Sequence, residues 1–586
     1  MTPSPDNRRR WMLAGILLLT ALIYLPTLSY GFVFDDHVLI ETNENLLRPD
    51  RLGALLSRDH WAHDNPAKRG NYYRPVMHLN YWLTCRVAGA SPFAFHLVSL
   101  IQHLICVALV FELLRRLRFR VETTAAATLL FALHPSRLEV VAWVAGANSS
   151  FAAAQTLAVV VLTLAAREAR SAGHRAACIA GAVLLTVTAL FSKESAATLP
   201  GQIGLAVFVF ESRRGGESGS TDRPSPGFGS RLRSALAAAL PFVVVIALGL
   251  IARRLILGYI ALEMSQIQTS TLLGNVPRAA LGHLWLLLLT GPRGPFYDFT
   301  VVSHPSLSTV LIPTALILGL VALTLRRPAT RRAVAFGWCW LGGTILPVLN
   351  LRALPRGEIL HDRFLYLPGL GFCVVAGALI GLALRRLRPA NALAALLGLG
   401  LVLGSLNLRD SPAWHDDARL WAHAVRVAPR NVVAHQNHAA RLVAQGRFDE
   451  AEGVFRRILR LAPRGRGHAS AFAGLATVAL LRRDWPEAEA RFRQSLALEP
   501  RPRPSRLTHF ARVLIERDKL DEALAVLGHV LKIAPQTRDA HALAARVFVK
   551  RGETDRARRL LELELLRRPG HREARELLKK LDSRRP

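Results

Sequence analysis

Two adjacent carboxylates, Asp35 and Asp36, follow directly on a long apolar run from Trp11 to Tyr30. A carboxylate pair at the end of such a run is a poor structural element. It is a good place for a general base acting on a substrate carried by lipid. Cations recur in other short polar islands between apolar runs, at Tyr73-Arg74, Lys193-Glu194 and Arg363-Phe364-Leu365-Tyr366. Cations so placed can stabilise a departing phosphate. A further island, His134 to Glu139, adds an imidazole and a carboxylate. Together the set can take a proton from an attacking hydroxyl and hold the charge of a lipid phosphate.

Each island also has a plainer reading. Asp35-Asp36 can cap a loop helix. Arg74 and Arg363 can be interfacial groups that reach for water. Lys193-Glu194 can be a structural ion pair, and His134-Pro135 can simply end a helix. Tyr72, Tyr73 and Tyr366 can belong to an interfacial aromatic belt. His37, His60 and His63 near the Asp pair leave a divalent metal open, although their spacing matches no specific site. No other cofactor is indicated.

The scaffold that must position these residues is a membrane domain. Of 586 residues, 51% are hydrophobic, and the mean hydropathy is +0.25. Several apolar runs approach twenty residues, the length that crosses a bilayer. Arg8, Arg9 and Arg10 precede the first run and hold the N-terminus in the cytoplasm. No small-residue cleavage pattern follows that run, so it reads as a retained helix. Asp35 then lies on the far side, in a polar loop over about 31–92. The net charge of +33 comes largely from clusters between apolar runs, such as Arg115-Arg116, Arg331-Arg332 and Arg385-Arg386. These are topology signals and contacts for anionic lipid rather than a nucleic-acid surface. Further spans are expected near 93–114, 121–134, 149–167, 174–190, 196–210, 234–252, 306–325, 333–350, 365–384 and 391–408, eleven crossings in all. The run at 276–290 is read as re-entrant, because a full crossing would put Arg326–Arg332 outside. A Gly/Ser/Arg-rich stretch at 212–233 reads as a flexible cytoplasmic loop. Five scattered cysteines show no CxxC spacing and suggest neither zinc nor a disulfide framework.

After Asp410 the pattern changes. Ala439, Ala451 and Pro463 recur as Ala476, Ala488, Pro500, then as Ala511, Ala523, Pro535, and then as Ala545, Ala557, Pro569. A small residue on each of two helices permits close packing, and a proline ends the second. The period is that of tetratricopeptide repeats: four full copies, with a partial one around Trp421–Pro429. The expected fold is therefore all-α, with a polytopic membrane domain over 1–410 and an α-solenoid over 411–586. The solenoid is basic, with 36 Lys/Arg against 21 Asp/Glu from residue 411 on, and reads as a binding surface for an acceptor peptide.

The ordered motifs Phe34-Asp35-Asp36, Tyr73-Arg74-Pro75, His134-Pro135 with Glu139, Lys193-Glu194 and Arg363 to Tyr366 resemble those of GT-C membrane glycosyltransferases. More narrowly, they resemble the O-mannosyltransferases that join such a domain to C-terminal tetratricopeptide repeats. The resemblance implies an inverting glycosyltransferase that uses a polyprenyl-phosphate sugar, with Asp35 as base and Asp36 positioning acceptor or metal. It implies donor or substrate contacts from Tyr73, Arg74, His134, Glu139, Lys193, Glu194, Arg363 and Tyr366. The acceptor is expected to be a protein hydroxyl on the extracytoplasmic face. The Arg/Ala/Leu-rich composition suggests a high-GC bacterium, and so its inner membrane. The rival readings are a non-catalytic repeat scaffold and a ligase for lipid-linked glycans. The uncharged stretch 145–149 and the sequence His361-Asp362-Arg363 depart from the family pattern and leave the sugar and the acceptor open.

Overall fold

The computed structural model describes residues 5–57, 59–60, 72–212, 227–260, 267–288, 291–355, 357–499, 502–537 and 539–583. His63, Pro500 and most of the loop expected at 212–233 lie outside them. Among the described residues the regular elements are all helical, and they pack as two units, Met1–Ala428 and Pro429–Pro586.

The first unit runs through α1 (Pro5–Tyr24), α2 (Pro75–Ala88), α3 (Pro92–Arg116), α4 (Val121–Leu133), α5 (Asn148–Glu168), α6 (Ala172–Leu190) and α7 (Leu199–Glu211). It continues with α8 (Phe228–Leu257), α9 (Thr269–Leu288), α10 (Leu307–Leu325), α11 (Arg331–Ile345), α12 (Pro368–Leu384), α13 (Pro389–Asp410) and α14 (Asp417–Val427). Eight segments among the described residues, built on α1, α3, α5, α6, α8, α10, α11 and α13, are long and apolar enough to cross a bilayer. The chain is an integral membrane protein. α9, which contains the run expected to re-enter, is not one of the eight and carries Pro277 in its interior.

The other three expected crossings are short. α4 and α7 have 13 residues each, and α12 has 17. They reach only about 20–26 Å, against about 30 Å of hydrocarbon. Each ends or begins at a polar island: α4 at His134, α7 after Glu194, α12 after Tyr366. Irregular backbone at membrane depth persists only where protein or a wet cavity satisfies it. Residues 131–150, which follow on from α4, are buried without interruption.

α4 and α12 lie in near backbone contact. A Cβ on Gly377 would meet the Ala127 amide nitrogen at 2.6 Å, and one on Gly381 the Thr123 nitrogen at 2.8 Å. Small residues allow such contact where lipid offers no hydrophobic drive between helices. Gly377→Val is therefore expected to part this pair and cost about 1–3 kcal/mol. Thermal unfolding of the solubilised protein checks this against Gly319→Val, whose site is open and whose cost should stay within about 0.5 kcal/mol.

The second unit repeats a helix pair four times: α15 (Val432–Ala444) with α16 (Phe448–Leu461), α17 (Arg466–Leu481) with α18 (Trp485–Ala497), α19 (Pro504–Glu516) with α20 (Leu520–Ile533), and α21 (Ala540–Lys550) with α22 (Thr554–Arg567). α23 (Arg572–Asp582) closes the array. All eight alanines of the repeat register, Ala439 through Ala557, are fully buried. Ion pairs climb from one repeat to the next, as in Arg482–Glu452 at 2.9 Å and Lys519–Glu489 at 2.5 Å. The helix Asp417–Val427, read from sequence as a partial repeat, lies in the first unit.

Candidate active site

The Asp pair is held by a strained turn. Phe34 has a φ of +53°, the left-handed region, which costs a non-glycine residue about 1–2 kcal/mol. Three contacts hold it there. Its amide donates to Asp417 Oδ1 at 2.8 Å. Its ring stacks on Trp143, centroids 5.5 Å apart, and meets Trp421 edge-on at 5.0 Å. His37 Nε2 lies 3.2 Å from the other oxygen of Asp417.

The two carboxylates then differ. Asp36 is fully buried and accepts from the Ala145 amide at 2.7 Å and the Val33 amide at 3.2 Å. Burial pushes its carboxyl well above the usual range against these donors, and the Asp35 charge adds to the rise. Asp35 stays half-buried. Asp36 thus fastens the first loop to the turn before α5. Asn at position 36 offers one oxygen for two amides, so Asp36→Asn should cost about 1–3 kcal/mol, read as a lower unfolding temperature.

Arg74, Lys193 and Arg363 form a cationic group. Arg74 donates to Glu194 Oε2 through Nη2 at 2.8 Å and Nε at 3.2 Å, while Arg253 reaches Oε1 at 3.3 Å. Burial would raise Glu194, but these arginines hold it below its ordinary value. Lys193 Nζ donates to Ser149 Oγ at 2.6 Å. Burial, then the charges of Arg74 and Arg363, bring Lys193 down to about 7.

Glu139, 1% exposed, anchors Arg363 twice, accepting from its amide at 2.8 Å and from Nη1 at 2.6 Å. Burial raises the Glu139 carboxyl, and Arg363 opposes the rise. The Arg363 guanidinium lies over Trp143, 5.1 Å from the ring centroid. Trp143 therefore has Phe34 and Arg363 against the same indole. Gly146 makes room for it, since a Cβ there would come within 2.7 Å of the ring. Asp362 fixes the turn before α12 by pairing with Arg293 at 3.1 Å and accepting from Tyr297 at 2.6 Å.

Other expected site residues are committed elsewhere. Tyr73 donates to the Leu56 carbonyl at 3.0 Å, whereas Tyr72 lies under Arg74, 4.5 Å from ring to guanidinium. His134 caps the turn after α4 through Ser136 and reaches the Leu287 carbonyl at 2.9 Å, which is the helix-end reading. Tyr366 pairs with His103 at 2.7 Å in the core. His37 also lies 2.5 Å from Glu41, and His60 Nδ1 lies 2.7 Å from His78. Among the described residues no group of three His, Cys, Asp or Glu can hold a metal.

Sequence reasoning misses four members of the site. Trp414, which stacks on Trp143 with centroids 6.3 Å apart, Asp417 and Trp421 all fall within the span 411–586 read as the repeat domain. Tyr81 sits mid-helix in α2, buried and, among the described residues, with no hydrogen-bond partner for its hydroxyl, within the fields of Asp36, Arg74 and Asp35.

Over 486 residues, 78% of its own length and 64% of the relative, this chain is 25% identical to "Protein O-mannosyl-transferase F38B6.6" of Caenorhabditis elegans. The chain is similar to protein O-mannosyl-transferases. Human protein O-mannosyl-transferase TMTC1 is 26% identical over 541 residues, covering 83% of the chain and 59% of that protein. Drosophila melanogaster protein O-mannosyl-transferase Tmtc2 reaches 32% over 221 residues, 37% of this chain and 22% of that protein. The chain thus spans about three fifths of the length of the first two of these O-mannosyl-transferases. Residues 514–581 match the tetratricopeptide repeat family model. Among solved structures, a tetratricopeptide protein described as YrrB, with an unusual peptide-binding site, matches at 21% identity over 30% of this chain and 87% of its own. Its TM-score is 0.24, and no weight rests on it.

Proposed function

We propose that this protein is an inverting glycosyltransferase. It moves a sugar from a polyprenyl-phosphate donor to a hydroxyl of an acceptor protein, on the extracytoplasmic side of a bacterial inner membrane. The observation that carries the reading is the convergence of Arg74, Lys193 and Arg363, with Asp35 half-buried next to an Asp36 that is spent on backbone amides. Likeness to proteins named O-mannosyl-transferases supports both the reaction class and a protein acceptor.

The chemistry balances. The acceptor oxygen attacks the anomeric carbon while its proton passes to Asp35. The bond from that carbon to the phosphate oxygen breaks, and the polyprenyl phosphate leaves with the electron pair. Arg74, Lys193 and Arg363 hold the charge that develops on it. Glu194 and Glu139 orient two of these cations without neutralising all three. The repeats hold the acceptor and raise its local concentration.

Lys193 supplies a pH test. Below about 7 its amine is charged, and above that it is neutral. Donor affinity should fall as pH rises from 6 to 8, by about tenfold for the loss of one charged contact. KM for the donor measured across that range checks this, and Lys193→Arg should flatten the profile.

The function itself is tested by supplying membranes with polyprenyl-phosphate mannose radiolabelled in the sugar, then separating protein, glycan and lipid. Label in protein is expected. Label confined to glycan or lipid would identify a ligase acting on lipid-linked glycans, and no transfer at all would favour a scaffold.

A further inference from the structure

The α4–α12 pair has a second end, one helix length or about 20 Å from His134 and Tyr366. There a cavity of about 50 Å³ opens where α4 begins, α11 begins and α12 ends. Arg120, Arg332 and Arg385 line it, with Phe119, Thr123 and Thr330 between them, and no carboxylate is among its lining residues. Arg332 is fixed in place. Its Nη2 donates to the carbonyls of Leu117 at 2.9 Å and Val209 at 2.8 Å, and its guanidinium lies over Phe119 at 5.5 Å. Arg120 and Arg385 are exposed at the rim.

Three guanidinium groups around one small cavity repel one another unless an anion sits among them. One further feature adds positive potential. α11 starts at the cavity with no side chain capping its first amides and no acidic residue in its first turn, whereas α4, which also starts there, carries Glu122 in its first turn. α11, one of the helices long and apolar enough to cross a bilayer, starts at the cavity with Arg331-Arg332, a basic cluster of the kind that meets anionic headgroups.

We infer that this cavity binds the phosphate of an anionic membrane lipid. It shares no residue with the Asp35 site and is independent of the donor reading. Free phosphate has the same chemistry, so the test must separate the two sources.

The full-length protein in detergent is titrated with phosphatidylglycerol or phosphatidylcholine and read by native mass spectrometry. Phosphatidylglycerol should bind at least about fivefold more tightly. The rim variant Arg120→Gln/Arg385→Gln should bring the two lipids within about twofold, while Arg326→Gln/Arg327→Gln, outside the cavity, keeps the preference. Inorganic phosphate and glycerol 3-phosphate are run as competitors. Failure of both to displace the lipid at millimolar concentration supports the headgroup. Displacement by inorganic phosphate at micromolar concentration supports the same cavity serving soluble phosphate. The inference is overturned if the rim variant keeps the preference, or if both variants lose it equally.

Discussion

Asp35→Asn should reduce sugar transfer by about 10²–10⁴-fold, the usual contribution of a positioned general base. The loss should fall on kcat, with donor KM little changed, because Asp35 meets the acceptor's proton rather than the donor's phosphate. The substitution leaves in place the Phe34 amide on Asp417 and the Asp36 carboxylate on two backbone amides. Transfer rate separates base from brace: Asp36→Asn loses stability and keeps measurable transfer, while Asp35→Asn loses transfer. Single-turnover transfer with preloaded donor gives the decisive number. An Asp35→Asn rate within tenfold of wild type would remove this residue from the chemistry.

The second large effect is an asymmetry between Glu139 and Arg363. Breaking a buried ion pair strands the surviving charge, at about 3–5 kcal/mol. The two partners are not equal survivors. Burial already raises the Glu139 carboxyl, so after Arg363→Met it can take a proton and become neutral. After Glu139→Gln, the guanidinium has no such escape, and a single side-chain oxygen is left for the Arg363 amide and Nη1 together. Glu139→Gln should therefore be the more destabilising change by chemical denaturation. Arg363→Met should keep most of the stability and raise donor KM. The opposite order of stabilities would show that the pair is not held as described.

The four full repeats are legible in the sequence because their rule is local. An alanine every 34–37 residues that must touch a neighbouring helix can be seen without knowing the fold, and each such alanine is buried. The long spans are legible for the same reason. The site is legible only as a set of islands. Arg74, Lys193, Glu194, Glu139 and Arg363 converge as their order suggested. Tyr73, His134 and Tyr366 do not join them, because a phenol or an imidazole satisfies a backbone carbonyl as readily as it binds a ligand. Asp417 and Trp421 carry a misleading signal: their helix has the spacing of a repeat, yet both residues contact Phe34 of the first loop. Tyr81 looked like one more aromatic on an apolar helix, and only its unpartnered hydroxyl sets it apart.

The latch from Phe34 to Asp417 joins positions 383 residues apart. A nascent chain emerging from the ribosome therefore carries every polar island long before it owns the residue that bends the first loop into shape. The turn that carries Asp35 and Asp36 is therefore latched only once translation has passed α13.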